Sequence, residues 1–102
     1  MLVQNKEQIF QLMTDNRDAL GRMGVFRYGL FGSFLTGNQS ADSDVDILVE
    51  FRPGTKSFDS FMGLAFFLED ILGRKVDLVT KESLSPYIGP KILAEVEYGL
   101  ID

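Results

Sequence analysis

The chain has 102 residues and a formal net charge of −5, with 45% hydrophobic and 25% charged residues. These values are typical of one small globular domain, and we expect residues 1–102 to form a single domain. The acidic balance argues against a general binder of nucleic acids or anionic membranes. Because the sequence contains no cysteine and no histidine, disulfides, thiolate catalysis, histidine-dependent triads and Cys- or His-ligated zinc are excluded.

The N-terminal residues show neither a signal peptide nor a membrane span. The longest apolar run, over 63–68, is far too short to cross a bilayer. We therefore expect a cytoplasmic protein.

The predicted elements alternate between helices and strands. Asn5, with Gln8 three residues later, is typical of a capped helix start. In chain order the elements are a helix after Asn5 that ends at Gly21 or Gly24, a strand over 25–31, a helical turn over 34–36, a loop over 38–43, a strand over 45–51, a helix from Thr55 or Ser57 to Gly73, a strand over 75–79 and a helix from Pro90 to Tyr98. This order predicts an α/β (α+β) domain with a small mixed sheet of three strands flanked by helices.

Two carboxylates stand at alternate positions at the start of the second strand. Asp44 and Asp46 share one face of that strand, while the apolar residues between them and after them share the other. Their backbone positions are roughly 6–7 Å apart, so the two side chains can converge on one divalent ion or on a pair of ions.

Two further features favour a metal and phosphate site over a solvated surface pair. Gly32 and Ser33 stand where a strand enters a helical turn, and free backbone N–H groups at such turns bind phosphate. Asp77 is a third carboxylate, placed in mid-strand between two apolar residues where strand propensity disfavours it. Clustered carboxylates repel one another unless a cation intervenes.

The residues after Gly32 and after Asp42 do not match two other phosphate-binding or metal-binding motifs. An EF-hand loop that starts at Asp42 would need Gly and Glu where the chain has Ile47 and Pro53. A P-loop that starts at Gly32 would need Lys after Gly37, where the chain has Asn38.

The same residues carry a family resemblance. Gly32-Ser33, ten residues, and then Asp44-x-Asp46 before an apolar run resemble the signature of the DNA polymerase β-like nucleotidyltransferases. The wider stretch through Phe51, together with the segment around Asp77, resembles the minimal nucleotidyltransferase (MNT) family. The resemblance covers about residues 25–98 and implies the polymerase β-like fold.

The resemblance also implies a reaction and its site. Asp44, Asp46 and Asp77 would be catalytic and hold Mg²⁺, two ions in this family, while Gly32 and Ser33 would bind the phosphates of ATP. Family members transfer a nucleotidyl group to a hydroxyl and release pyrophosphate. Many are antitoxins encoded beside an all-helical HEPN toxin, and some AMPylate a tyrosine of that toxin.

One residue departs from the family pattern. Thr36 stands where the family commonly has Arg, which removes a cation from the phosphate site. Arg52, Arg74 and Lys75 are cations that could compensate, or else ordinary surface charges.

The leading hypothesis is an Mg²⁺-dependent transferase that moves AMP from ATP to a partner HEPN toxin and acts as its antitoxin. The alternative is an antitoxin that neutralises its toxin by occlusion, with weak or no catalysis, and Thr36 favours it. Transfer to a small molecule is disfavoured because the chain has no separate substrate domain. The exposed aromatics over 58–67 and the apolar C-terminus are candidate partner contacts. Homo-oligomerisation stays open.

Overall fold

A computed structural model describes residues 2–101. The helices and strands are α1 Lys6–Asp15, α2 Arg17–Arg22, β1 Val25–Phe31, α3 Ser33–Thr36, β2 Val45–Phe51, α4 Phe58–Leu72, β3 Val76–Thr80, α5 Gly89–Glu95 and β4 Glu97–Leu100. A 3₁₀ turn over Lys81–Ser83 follows β3. None of the helices within residues 2–101 combines the length and apolarity that crossing a membrane requires.

The strands form one mixed sheet in the order β3-β2-β1-β4. β1 pairs antiparallel with both β2 and β4, whereas β2 and β3 run parallel. The predicted α/β class and the mixed sheet flanked by helices are therefore confirmed. The sheet has four strands rather than the three that the sequence predicted.

The hydrophobic core lies on one face of the sheet, between the strands and helices α1, α2 and α4. Its side chains alternate along β2 and β3, as the period of two requires. They include Leu30 of β1, Ile47 of β2 and Leu78 of β3 from the sheet, with Met13 and Leu68 from the helices. The residues between them in β2 and β3 therefore face the other side of the sheet. Asp46 and Asp77 are among these residues.

The N-terminal helix is interrupted, which corrects the single helix predicted up to Gly21 or Gly24. The break falls at Asn16, whose side-chain amide donates to the carbonyl of Leu12 at 2.8 Å. Asparagine side chains compete with backbone N–H groups for the carbonyls of a helix, so asparagine favours a helix end. The predicted cap is present, since the side chain of Asn5 accepts from the N–H of Gln8 at 2.9 Å.

The C-terminal segment is a strand where the sequence predicted a helix through Tyr98. Helix α5 ends at Glu95, and β4 then pairs with β1 along the whole segment from Glu97 to Leu100. Gly99 allows this pairing, because a Cβ atom at that position would overlap the side chain of Tyr28 on β1. The contact is non-local, so the helical pattern of the segment gave no sign of it.

Helix α4 has the bounds that its capping residues predicted. Ser57 and Ser60 form a reciprocal capping box at its start, and Gly73 closes it in the left-handed conformation with φ of 72°. Its outward face exposes Phe66, which is 64% accessible, as the helical periodicity predicted.

Candidate active site

The first part of the site is the turn that joins β1 to α3. Gly32 has φ of 77°, a left-handed conformation that favours glycine, and Ser33 begins α3 directly after it. The carboxylate of Asp46 lies against the Cα of Gly32, and a Cβ atom there would overlap it. Glycine is therefore required at position 32 by both the backbone conformation and the neighbouring carboxylate.

The second part is a pair of carboxylates on adjacent parallel strands. Asp46 of β2 is in register with Asp77 of β3, and on its other side it faces Phe31 of β1, the residue before Gly32. Burial raises the pKa of Asp46 from 3.8 to about 6, with added contributions from the charges of Asp77 and Asp44 and from a hydrogen bond with Asp77. The contributions of Asp77 and Asp44 to the pKa of Asp46 indicate that the three carboxylates lie close together at this end of the sheet.

The third carboxylate, Asp44, is exposed and immediately precedes β2. The Coulombic effect of Asp44 on Asp46 places it close to the pair. Across the described part of the chain, however, no three acidic residues are already arranged as a complete metal centre. The pair of Asp46 and Asp77 nevertheless suits Mg²⁺, which is usually held by one or two carboxylates together with substrate phosphates.

The predicted site residues thus come together at one end of the sheet. Gly32, Asp46 and Asp77 are neighbours across β1, β2 and β3, with Ser33 and Asp44 on the adjoining chain segments. Among residues 2–101, the hydrogen bonds of α3 leave the N–H groups of its first two residues without a protein acceptor. Both backbone donors and carboxylate acceptors are therefore present, which suits a metal-bound polyphosphate.

Thr36 brings no positive charge to this turn. Its hydroxyl lies 3.4 Å from the carbonyl oxygens of both Gly32 and Ser33, and the amide of Asn38 donates to it at 3.1 Å. Thr36 therefore completes the hydrogen bonding of the turn.

Two of the three cations that could compensate for Thr36 are engaged elsewhere. Arg52 donates to the carbonyl of Gly21 at 2.5 Å, at the opposite end of the sheet from the carboxylates. Arg74 is buried and donates to backbone carbonyls. Lys75 is exposed.

Sequence reasoning missed the role of Arg74 in the scaffold of the site. It grouped this arginine with the surface cations because arginine is mostly exposed in proteins. The acceptors of Arg74 are carbonyls 31 to 71 residues away along the chain. Every residue has a backbone carbonyl, so the sequence does not indicate which carbonyls Arg74 contacts.

This fold and this grouping of a glycine turn with strand carboxylates define a nucleotidyltransferase. The family model for the nucleotidyltransferase domain matches residues 14–98, and the chain belongs to that family.

One relative and two solved structures are similar to most of this chain. The protein adenylyltransferase MntA of Thermococcus cleftensis is 43% identical over 93 residues, which cover 90% of this chain and 93% of the relative. A solved minimal nucleotidyltransferase superposes with a TM-score of 0.70 at 32% identity and covers 86% of this chain and 93% of its own. A crystal structure of a toxin–antitoxin with AMP-PNP matches with a TM-score of 0.65 at 28% identity, covering 93% of this chain and 72% of that one.

Proposed function

We propose that this nucleotidyltransferase transfers AMP from ATP to a hydroxyl of a HEPN-type toxin, a tyrosine hydroxyl by the family resemblance, and acts as its antitoxin in the cytoplasm. The observation that carries the proposal is the position of Asp46, packed on Gly32 and in register with Asp77. The relative named protein adenylyltransferase and the neighbour crystallised with AMP-PNP support the reaction and the nucleotide. We take residues 1–102 as one minimal nucleotidyltransferase domain.

The nucleotide would bind across the turn and the carboxylates. Asp44, Asp46 and Asp77 are the residues that would hold Mg²⁺, and Gly32 and Ser33 would contact the phosphates through their backbone. When bound, Mg²⁺ would neutralise charge at the α-phosphate of the transferred adenylyl group and help to orient it. Because the glycine at position 32 has no side chain, phosphate oxygens can approach the backbone beside Asp46.

We assign to Asp77 the role of orienting or deprotonating the attacking hydroxyl. The hydroxyl oxygen forms a bond to the α-phosphorus, the bond to the β-phosphate oxygen breaks, and pyrophosphate leaves. The proton of the hydroxyl passes to the carboxylate of Asp77, which serves as general base. Turnover by Asp77→Asn at the wild-type rate would remove this role from Asp77.

We propose that the partner protein carries the acceptor hydroxyl. Exposed apolar side chains on α4 and at the end of β4 are the candidate contacts: Phe58, Phe66 and Leu100. A neighbour of this fold solved as a toxin–antitoxin supports a protein partner.

A second function, neutralisation of the toxin by occlusion, is favoured by Thr36. The hydroxyl of Thr36 is close to the carbonyls of its own turn and adds no positive charge for the triphosphate. An occluding antitoxin would neutralise its toxin without nucleotide, so the Asp44→Asn/Asp46→Asn double variant would still protect cells.

Calorimetric titration with AMP-PNP and Mg²⁺ tests the nucleotide site directly. We expect the wild-type chain to bind, and the Asp44→Asn/Asp46→Asn variant to lose binding while it remains folded. Equal binding by the wild type and the double variant would contradict the assignment of these carboxylates.

A further inference from the structure

Arg74 lies at a junction of four chain segments. It follows the left-handed Gly73 that ends α4, and only 8% of its surface is accessible. Its Nε donates to the carbonyl of Val3 at 2.7 Å, and its Nη1 donates to the carbonyl of Ala41 at 2.8 Å. The same Nη1 lies 3.4 Å from the carbonyl of Ser43, the residue before Asp44. The guanidinium therefore fastens the loop that leads into β2.

The aromatic ring of Phe34 forms another wall of this junction. The guanidinium carbon of Arg74 is 5.1 Å from the ring centroid, and Phe34 itself is 1% accessible. Because Phe34 directly follows Ser33 in α3, this contact joins Arg74 to the turn that carries Ser33.

Backbone hydrogen bonds extend the junction to the carboxylate strands. The N–H of Val45 donates to the carbonyl of Lys75 at 2.9 Å, so Asp44 is held on both sides by the chain around Arg74. Asp77 follows Arg74 by three residues at the start of β3. One buried side chain thus contacts or adjoins each segment that carries Ser33, Asp44 or Asp77.

The charge of Arg74 has no carboxylate partner in the described structure. The ion pairs between side chains of residues 2–101 are Lys6–Glu97 and Arg27–Glu50. Apart from the ring of Phe34, backbone carbonyls hold the guanidinium, and an apolar residue of similar volume would leave the carbonyls of Val3 and Ala41 without this donor. The geometry that the rigid guanidinium imposes on the carbonyls is what an apolar residue could not supply.

We propose that Arg74 is a positioning residue for the nucleotide site. Its guanidinium sets the loop before Asp44 and the turn at Ser33 at the spacing that Mg²⁺ with ATP requires. This inference rests on the proposed function for the identity of the ligand. Its structural part, the fastening of the loop over 40–43, stands on the contacts of Arg74 alone.

The test compares Arg74→Gln with Arg52→Gln. Arg52 is a matched control because it also binds backbone carbonyls, those of Gly21 and Val25, but at the far end of the sheet. Both variants are measured at the same interval below their own melting temperature. Two quantities are recorded: the affinity for AMP-PNP with Mg²⁺, and hydrogen exchange at the amides of Ser43 and Val45, which donate to Ser40 and Lys75.

We expect Arg74→Gln to weaken binding by on the order of 10- to 100-fold, the effect of a displacement of about 1 Å in a site. Exchange at Ser43 and Val45 should accelerate in this variant, and Arg52→Gln should leave both quantities near wild type. Arg74→Lys keeps the charge but not the planar fork, so partial recovery of binding is expected. If Arg74→Gln does not fold, Arg74→Lys and Phe34→Leu provide the comparison.

Equal affinity in the Arg74 and Arg52 variants, or unchanged exchange at Ser43 and Val45, would overturn the positioning role. Full recovery by Arg74→Lys would also overturn it, because charge alone would then suffice. If the wild-type chain does not bind AMP-PNP with Mg²⁺, the proposed function fails instead. The exchange data then decide whether Arg74 fastens the loop.

Discussion

The contact between Gly32 and Asp46 joins the phosphate turn to the central carboxylate. Gly32 has φ of 77°, and the space that a Cβ atom would take is filled by the carboxylate of Asp46. Gly37, four residues after the first position of α3, has φ of 83° with open space around it. Substitution of Gly37 therefore tests backbone strain alone, whereas substitution of Gly32 also displaces the carboxylate of Asp46.

We expect Gly32→Ala and Gly37→Ala each to lose about 1–3 kcal/mol of unfolding free energy, because alanine is strained at positive φ. Only Gly32→Ala should also abolish binding of AMP-PNP with Mg²⁺, since it alone pushes Asp46 out of place. Urea denaturation and calorimetric titration of the two variants measure the two effects. Similar affinity in both variants would contradict the importance of the Gly32–Asp46 contact.

The raised pKa of Asp46 predicts an unusual pH dependence for the metal-free protein. Between pH 3.8 and about 6 the native state binds more protons at Asp46 than the unfolded state does. Stability should therefore fall as the pH rises through this window, by on the order of 1–2 kcal/mol, and recover on acidification. Denaturation at several pH values in EDTA measures this slope.

Asp46→Asn is the control for the pH experiment, because it removes the titrating group and should remove its contribution to the slope. Asp77→Asn should lower the pKa of Asp46 but leave it above 3.8, since burial is the larger cause. Carboxyl NMR of Asp46 in the wild type and in Asp77→Asn measures this change. An Asp46 midpoint near 4 in the metal-free wild type would contradict this account of the carboxylate pair.

Among the elements, those with local signals were the ones that the sequence could predict: capping residues for helices, and alternation for strands. Helix α4 begins after Ser57 and ends before Gly73, and β1 and β2 have their predicted bounds. The break at Asn16 and the strand β4 were missed. In β4 the deciding partner is Tyr28, which is 71 residues distant from Gly99 and makes strand pairing possible.

Gly99→Ala tests this reading of β4. We expect it to cost about 1–3 kcal/mol of unfolding free energy, because the added methyl group overlaps the ring of Tyr28. Gly63→Ala on α4 is the matched control, since its surroundings are open and a helical position favours alanine by about 1 kcal/mol. Thermal unfolding of both variants gives the comparison. A neutral Gly99→Ala would show that the close approach of Tyr28 does not hold β4.

For the molecule as a whole, the sequence predicted which residues lie together in the candidate site. It did not predict the contacts that hold their chain segments in place. Asp44 and Asp46 stood out because they share one face of a strand, and Asp77 because strand propensity disfavours a carboxylate in mid-strand. Arg74 did not, since its contacts with Val3 and Ala41 join segments far apart in the chain.

The exposed face of α4 predicts where the partner binds. Phe66→Asp should weaken the complex with the toxin by at least about tenfold if this face is buried there, because a carboxylate would then be desolvated. Asp59→Lys, an exposed change in the first turn of the same helix, controls for altered charge. Affinity is measured by calorimetry with the purified toxin. Unchanged binding by Phe66→Asp would remove this face from the interface.

The intact mass of the proposed HEPN-type partner tests the central claim most directly. That protein is incubated with this chain, ATP and Mg²⁺, beside a sample with the Asp44→Asn/Asp46→Asn variant. We predict added mass in whole adenylyl groups with the wild-type chain and none with the variant. An unmodified partner that still forms a stable complex with the wild-type chain would contradict the transferase account and favour neutralisation by occlusion.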